Sequence, residues 1–176
     1  AKEEETTLKE NDYVTGLYNI TTTDTLLLFT NLGNYLYLPV YDIPEVKWKE
    51  LGKHISNIIS LSPEEKVINS IPVYNFDEER HITSFTKNGM VKRTLLNEFK
   101  VQRYSKPIKM MNLKGTDEVI SVTDSTLSNV FIATSNGYGL WYDINEVPVV
   151  GIKAAGVKAI SLKDDYVVSG ILFDVA

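Results

Sequence analysis

No cysteine occurs in the 176 residues, so disulfide frameworks and thiolate metal sites are excluded at once. Histidine is nearly absent too, and His54 and His81 share no spacing with each other or with a carboxylate cluster that would hold a metal. No apolar run approaches the ~20 residues of a membrane helix, and no signal-peptide pattern opens the sequence, which leaves a cytoplasmic setting as the expectation and no membrane partner. A Gly-rich phosphate loop, a Ser/His/Asp order and an EF-hand spacing are all missing, so no cofactor or metal site is expected in this stretch of chain. Nor does any segment hold a helical apolar period over ten residues. An all-β chain is expected.

What is present is an ordinary globular composition, 43% hydrophobic and 23% charged, with a formal net charge of −5. That excess of acid is unevenly spread. Residues 86–114 hold Lys87, Lys92, Arg93, Lys100, Arg103, Lys106, Lys109 and Lys114 against Glu98 alone, a local balance of +7. Cations gathered in one place on an acidic chain point to a polyanion, the bland reading being a solvated face. The first twelve residues, with Glu3, Glu4, Glu5, Glu10 and Asp12 and no apolar face, are expected to fray, and so abrupt a start suggests an excised fragment.

The sequence repeats. An apolar strand ending in Thr-x-x-Gly occurs at residues 26–33, 82–89 and 130–137, with Asn88-Gly89 and Asn136-Gly137 predicting type I′ hairpin turns and Leu32 departing from that pattern in the first copy. Ten residues beyond each glycine stands an apolar residue, Ile43, Phe99 or Val147. The unit closes with a leucine, a short polar turn and a valine-led strand: Leu61 to Val67, Leu113 to Val119, Leu162 to Val167, and an earlier Leu8 to Val14. Glycine spacings of 56 and 48 give a unit of roughly fifty residues, and short strands at this period indicate propeller-like blades. One single domain over 1–176 is expected, with a partial blade at 8–24 and repeats at 25–73, 80–125 and 129–176; residues 74–80 form an acidic loop. Four closing halves against three hairpin halves make an arc of about three and a half four-stranded blades.

These motifs resemble the C-terminal domain of bacterial type II topoisomerase A subunits, from topoisomerase IV and gyrase. The resemblance rests on the three strand-Thr-x-x-Gly hairpins, on Asn88-Gly89-Met90-Val91-Lys92-Arg93-Thr94 leading to Asn97-Glu98-Phe99, and on the leucine, acidic turn and valine, and it covers nearly all of the chain from Leu8 onward. It implies a β-pinwheel, in which neighbouring blades exchange strands, and a basic rim that binds and bends duplex DNA. For the parent enzyme it implies decatenation and relaxation with ATP and Mg, and a partner, the B subunit of topoisomerase IV. The glutamine-basic-basic-glycine-glycine box of gyrase-type domains is degenerate here: Gln102-Arg103-Tyr104-Ser105-Lys106-Pro107 lacks its glycines, so the loop is bulkier and stiffer. That favours the topoisomerase IV type, with a gyrase wrapping domain as the near alternative.

The rim residues expected to contact phosphate are Lys49, Lys53, Lys92, Arg93, Lys100, Arg103, Lys106, Lys109, Lys153 and Lys158. Lys109 and Lys158 share one repeat position, four before the closing leucine. Lys92 and Arg93 are adjacent on a strand and point to opposite faces, so at least one of them is expected at phosphate. Trp48 and Trp141 are expected to pack in the core or a loop, because duplex DNA offers no unstacked bases. No tyrosine matches a catalytic tyrosine, so catalysis is expected elsewhere in the parent. A different class, a propeller-like scaffold whose acidic faces bind a protein, is the other reading.

Overall fold

In the computed structural model the described residues are 25–39 and 61–175. They contain strands β1 (Thr25–Thr30), β2 (Asn34–Pro39), β3 (Val67–Val73), β4 (His81–Thr86), β5 (Met90–Leu95), β6 (Ile108–Lys109), β7 (Val119–Thr123), β8 (Asn129–Thr134), β9 (Gly139–Asp143), β10 (Val157–Lys158) and β11 (Val167–Phe173). Two short 3₁₀ turns, Leu96–Phe99 and Ile144–Glu146, are the only helical elements among the described residues. The all-β expectation holds. The partial blade at 8–24, together with Lys49, Lys53, His54 and Trp48, lies outside the described residues.

The sheets run β3-β1-β2-β6, β10-β5-β4-β7 and β11-β8-β9. Each is built on one hairpin, and the closing strand lies against the hairpin's first strand, with Ile71 opposite Leu27, Thr123 opposite Thr83 and Ile171 opposite Phe131. The fourth strand comes from the next unit. β6 follows the second hairpin in sequence but pairs with β2, placing Lys109 opposite Asn34, and β10 follows the third but pairs with β5, placing Lys158 opposite Met90. This trade of strands is the β-pinwheel that the resemblance implies. β7 packs against both β3 and β11, so the closing strands stand together on the inner side and the exchanged strands form the outer edge. β9 carries no outer strand among the described residues.

The turns differ from the sequence expectation. In each Thr-x-x-Gly hairpin the glycine alone takes positive φ, 78° at Gly33, 87° at Gly89 and 85° at Gly137, and among described non-glycine residues only Asp164 does so. The glycine amide donates to the threonine carbonyl, as from Gly89 to Thr86 at 3.1 Å and from Gly137 to Thr134 at 3.1 Å. These are therefore not type I′ turns. A turn of right-handed residues followed by one left-handed glycine explains why Leu32 is accepted where the other copies have asparagine, since that position needs no positive φ.

The threonine hydroxyl receives the amide just past the glycine: Asn34 to Thr30 at 3.3 Å, Met90 to Thr86 at 3.0 Å and Tyr138 to Thr134 at 3.1 Å. Acids of the closing turns join this network. Asn88 N–H donates to Asp117 Oδ1 at 2.9 Å, Asn136 N–H to Asp165 Oδ1 at 3.1 Å, and the Thr30 hydroxyl to Glu65 at 3.0 Å. Several of the chain's acids are thus engaged in stapling hairpin turn to closing turn within each unit. The strands between carry the core: Phe29, Tyr35, Ile82, Phe99 and Met110 between the first two sheets, and Phe85, Val91, Val130, Ile132 and Val147 between the second and third.

Candidate nucleic-acid interface

The segment joining each 3₁₀ turn to its exchanged strand crosses the outer side of the preceding sheet as an arch. In the second unit the arch is residues 100–107 and leads into β6; in the third it is residues 148–156 and leads into β10. With its strand, the first arch contains Lys100, Arg103, Lys106 and Lys109 and no acid, and the second contains Lys153 and Lys158 and no acid. All six side chains are exposed. The topology fixes why they gather there. Strand exchange puts each arch outermost, so cations distant in sequence from one another come to one edge, while the acids of the closing turns stay with the hairpin turns.

The arches are held at defined points. Met110 and Met111 amides donate to the Gly33 carbonyl at 2.8 and 3.0 Å, and Ala159 donates to that of Gly89 at 2.7 Å. A Cβ on Gly33 would lie 2.7 Å from the Met111 carbonyl oxygen, so the incoming chain passes too close for any side chain. Tyr104, in the middle of the degenerate box, sits with its ring 5.5 Å from that of Tyr37, which stacks on Phe76 at 5.7 Å. Tyr104, at a basic position of the gyrase box, is therefore a packing residue here, anchoring the arch from which Arg103 and Lys106 project.

Lys92 and Arg93 do not belong to this edge. Lys92 is completely buried, and its Nζ donates to the carbonyls of Gly151 (3.0 Å), Ile152 (2.7 Å) and Ala154 (3.2 Å). Burial pulls its pKa down to about 8, against the opposing pull of the Glu98 carboxylate. Arg93 donates from Nε (2.9 Å) and Nη2 (2.7 Å) to the carbonyl of Val147. The expectation that one of the pair reaches phosphate is corrected for Lys92: with no solvent-accessible surface and three backbone acceptors on one ammonium, it has no reach outward. Arg93 is half-buried and spends two of its donors on backbone. Sequence held the signal, since the residues three beyond the hairpin glycine are Leu36, Lys92 and Leu140, apolar in the other two copies. Trp141 corrects a second expectation: it is 56% exposed, its ring against Phe173 and its Nε1 donating to Asn129.

Hairpins that trade outer strands, with cations on the traded edge, define a β-pinwheel with a basic rim. The chain belongs to the family described as "DNA gyrase C-terminal domain, beta-propeller", which matches residues 24–73, 81–123 and 128–173. It is 49% identical over 165 residues to the A subunit of DNA topoisomerase 4 from Bacillus subtilis (strain 168), covering 93% of this chain and 20% of that protein. To the same protein of Staphylococcus epidermidis it is 40% identical over 163 residues, covering 92% of this chain and 20% of that one. Among solved structures, the C-terminal domain of a DNA topoisomerase IV superposes with a TM-score of 0.82 at 49% identity, over 86% of this chain and 48% of that one. A DNA gyrase A C-terminal domain does so with a TM-score of 0.62 at 19% identity, over 86% and 48%, which is likeness of fold. The chain therefore spans 20% of the length of these curated relatives.

Proposed function

We propose that this domain binds duplex DNA along its outer edge and bends it, as a non-catalytic part of a type II topoisomerase, within an A subunit of the topoisomerase IV kind. The observation that carries this is the exposed set Lys100, Arg103, Lys106, Lys109, Lys153 and Lys158 on two successive arches that themselves contain no acid. Ammonium and guanidinium groups along a curved edge attract successive phosphates. Lysines scattered on loops carry no paired array for a major groove, so phosphate contact and DNA deformability dominate over base reading. Bending ~20–30 bp by ~40–90° costs about 1–6 kcal/mol, which several phosphate contacts along the arc offset. The bent segment would be presented to the gate of the parent enzyme. There, the B subunit supplies ATP-driven strand passage with Mg, in a cytoplasmic, chromosome-associated setting. The bulkier box in the first arch supports this reading over gyrase-type wrapping.

Titration against linear duplexes of unrelated sequence at several salt concentrations tests the proposal. Binding should be alike for all sequences. Replacing Arg103 and Lys106 together with alanine should weaken it uniformly and reduce the slope of log K against log salt by about 1.8, two phosphates at ~0.9 each. Affinity indifferent to salt between roughly 50 and 200 mM would instead favour a protein-binding scaffold. The engagement of closing-turn acids with hairpin amides argues against that scaffold, because those acids serve the fold.

A further inference from the structure

The second arch is organised around a single side chain. Beyond Ile144–Glu146 the chain runs parallel to β5, with a parallel bridge between Arg93 and Val149, the Arg93 amide donating to the Pro148 carbonyl (3.3 Å) and the Val150 amide to the Arg93 carbonyl (2.9 Å). It then turns and returns antiparallel, Val157 opposite Val91. Lys92 stands between these two attachments, so residues 151–154 wrap its ammonium and offer three carbonyls to it. Above it the chain passes so close that a Cβ on Gly156 would lie 3.0 Å from Lys92 Cβ, and Gly156 adopts a φ of 85°. From the exposed side Glu98 accepts the Ile152 amide at 3.2 Å. Beneath the first arch the corresponding position, in β2, holds Leu36, also completely buried, and no cation.

Three carbonyls converging on one cationic group would repel each other without it. An ammonium with three N–H donors satisfies them together, and hydrogen bonds to a charged donor are roughly twice as strong as neutral ones. The arch carries Lys153 within the wrapped turn and Lys158 at its end. We propose that Lys92 is a positioning residue for DNA binding: clasped by the carbonyls of residues 151, 152 and 154, it sets the shape of the second arch and thereby the places of Lys153 and Lys158 on the rim. This rests on the DNA-binding reading for its consequence, though the clasp can be tested without DNA.

The test substitutes Lys92→Met, which keeps length and removes the donors, and compares amide exchange and DNA affinity with the unsubstituted domain. Exchange at Val150, Ile152 and Ala159 should accelerate by about tenfold or more while that of the β1–β2 hairpin stays unchanged, the signature of local opening. A double-mutant cycle gives the reading that a general loss of stability would not move. Lys92→Met should be non-additive with Lys158→Ala in DNA affinity and additive with Arg103→Ala in the other arch. Unchanged exchange at the three amides overturns the clasp; faster exchange with equal additivity toward both arches overturns the positioning role and leaves DNA binding standing. Absence of DNA binding by the unsubstituted domain overturns the functional reading and with it the role of Lys92 toward DNA, the clasp being judged on exchange alone. Should Lys92→Met fail to fold, Glu98→Ala, on an exposed side chain, removes the acceptor of the Ile152 amide and weakens the same arch from outside. It should speed exchange at Ile152 first, and no change there counts against the clasp.

Discussion

The two junctions between sheets follow one backbone plan with opposite chemistry. At the first, the carbonyl of Phe99 accepts the buried Tyr35 hydroxyl at 3.0 Å, and the Phe99 ring stands edge-on to Tyr35 (5.0 Å) and Phe29 (5.9 Å). At the second, the carbonyl at the equivalent position, Val147, accepts Arg93, while Lys92 fills the place that Leu36 fills in the first sheet. The same orphan carbonyl at the end of a 3₁₀ turn is thus satisfied in one case by an aromatic hydroxyl inside a ring cluster and in the other by a guanidinium. A repeat fold fixes the acceptor by its geometry and leaves the donor open. The first junction is held mainly by apolar burial and the second draws more on charge-assisted hydrogen bonds.

That contrast is broken most strongly at Phe99. Truncation to alanine opens a cavity among Phe29, Tyr35 and Met110 and should cost about 3–5 kcal/mol, read as a fall in the denaturant midpoint. A loss under about 1 kcal/mol would mean that the aromatic junction is not what joins the first two sheets. Lys92→Ala should come next. It takes the ammonium from three carbonyls, of which that of Ala154 keeps the Asn112 amide (3.2 Å), and hydrogen bonds to charged groups contribute about 1.5–3 kcal/mol net. Lys92→Met, which keeps the volume, should cost less than the alanine variant. If the two substitutions cost the same, packing contributes little and the donors carry the effect.

How much of this was legible depends on what the repeat dictates. Hairpins, closing strands and propeller-like blades followed from Thr-x-x-Gly, the closing leucine and the valine, because those residues meet local demands: a left-handed glycine, a threonine hydroxyl for the next amide, a period-2 strand; the exchange of strands was implied by the family resemblance alone. The exposed Lys109 and Lys158 followed from one shared repeat position. Lys92 was misplaced because charge was read there before register. Its neighbours along the strand gave no hint, since the acceptors come from residues some sixty positions later that only strand exchange brings across. The turn type was misread for a related reason, Asn-Gly being shared by two hairpin geometries that Leu32 alone separates.

The finest test of the contrast is pH, because only the second junction buries a group that titrates near neutrality. In the folded protein the Lys92 pKa is pulled down to about 8 by burial, with Glu98 resisting, whereas an unfolded lysine titrates near ~10.4. Between those values the unfolded chain holds a proton that the folded one has released, so this group's contribution to stability rises with pH through that window. Below about 8 both states are protonated and the cost of burying the charge is fully present. Unsubstituted protein should therefore gain stability relative to Lys92→Met as pH goes from 8 to 9, by at most about 1.4 kcal/mol for one group over one unit, read as a difference in midpoints so that all other titrations cancel. Glu98→Gln should deepen the effect, since removing the carboxylate leaves burial unopposed and lowers the pKa of Lys92 further. A difference that stays flat from pH 7 to 10 would mean that the three carbonyls hold the ammonium protonated throughout, which would make the clasp stronger than burial alone allows.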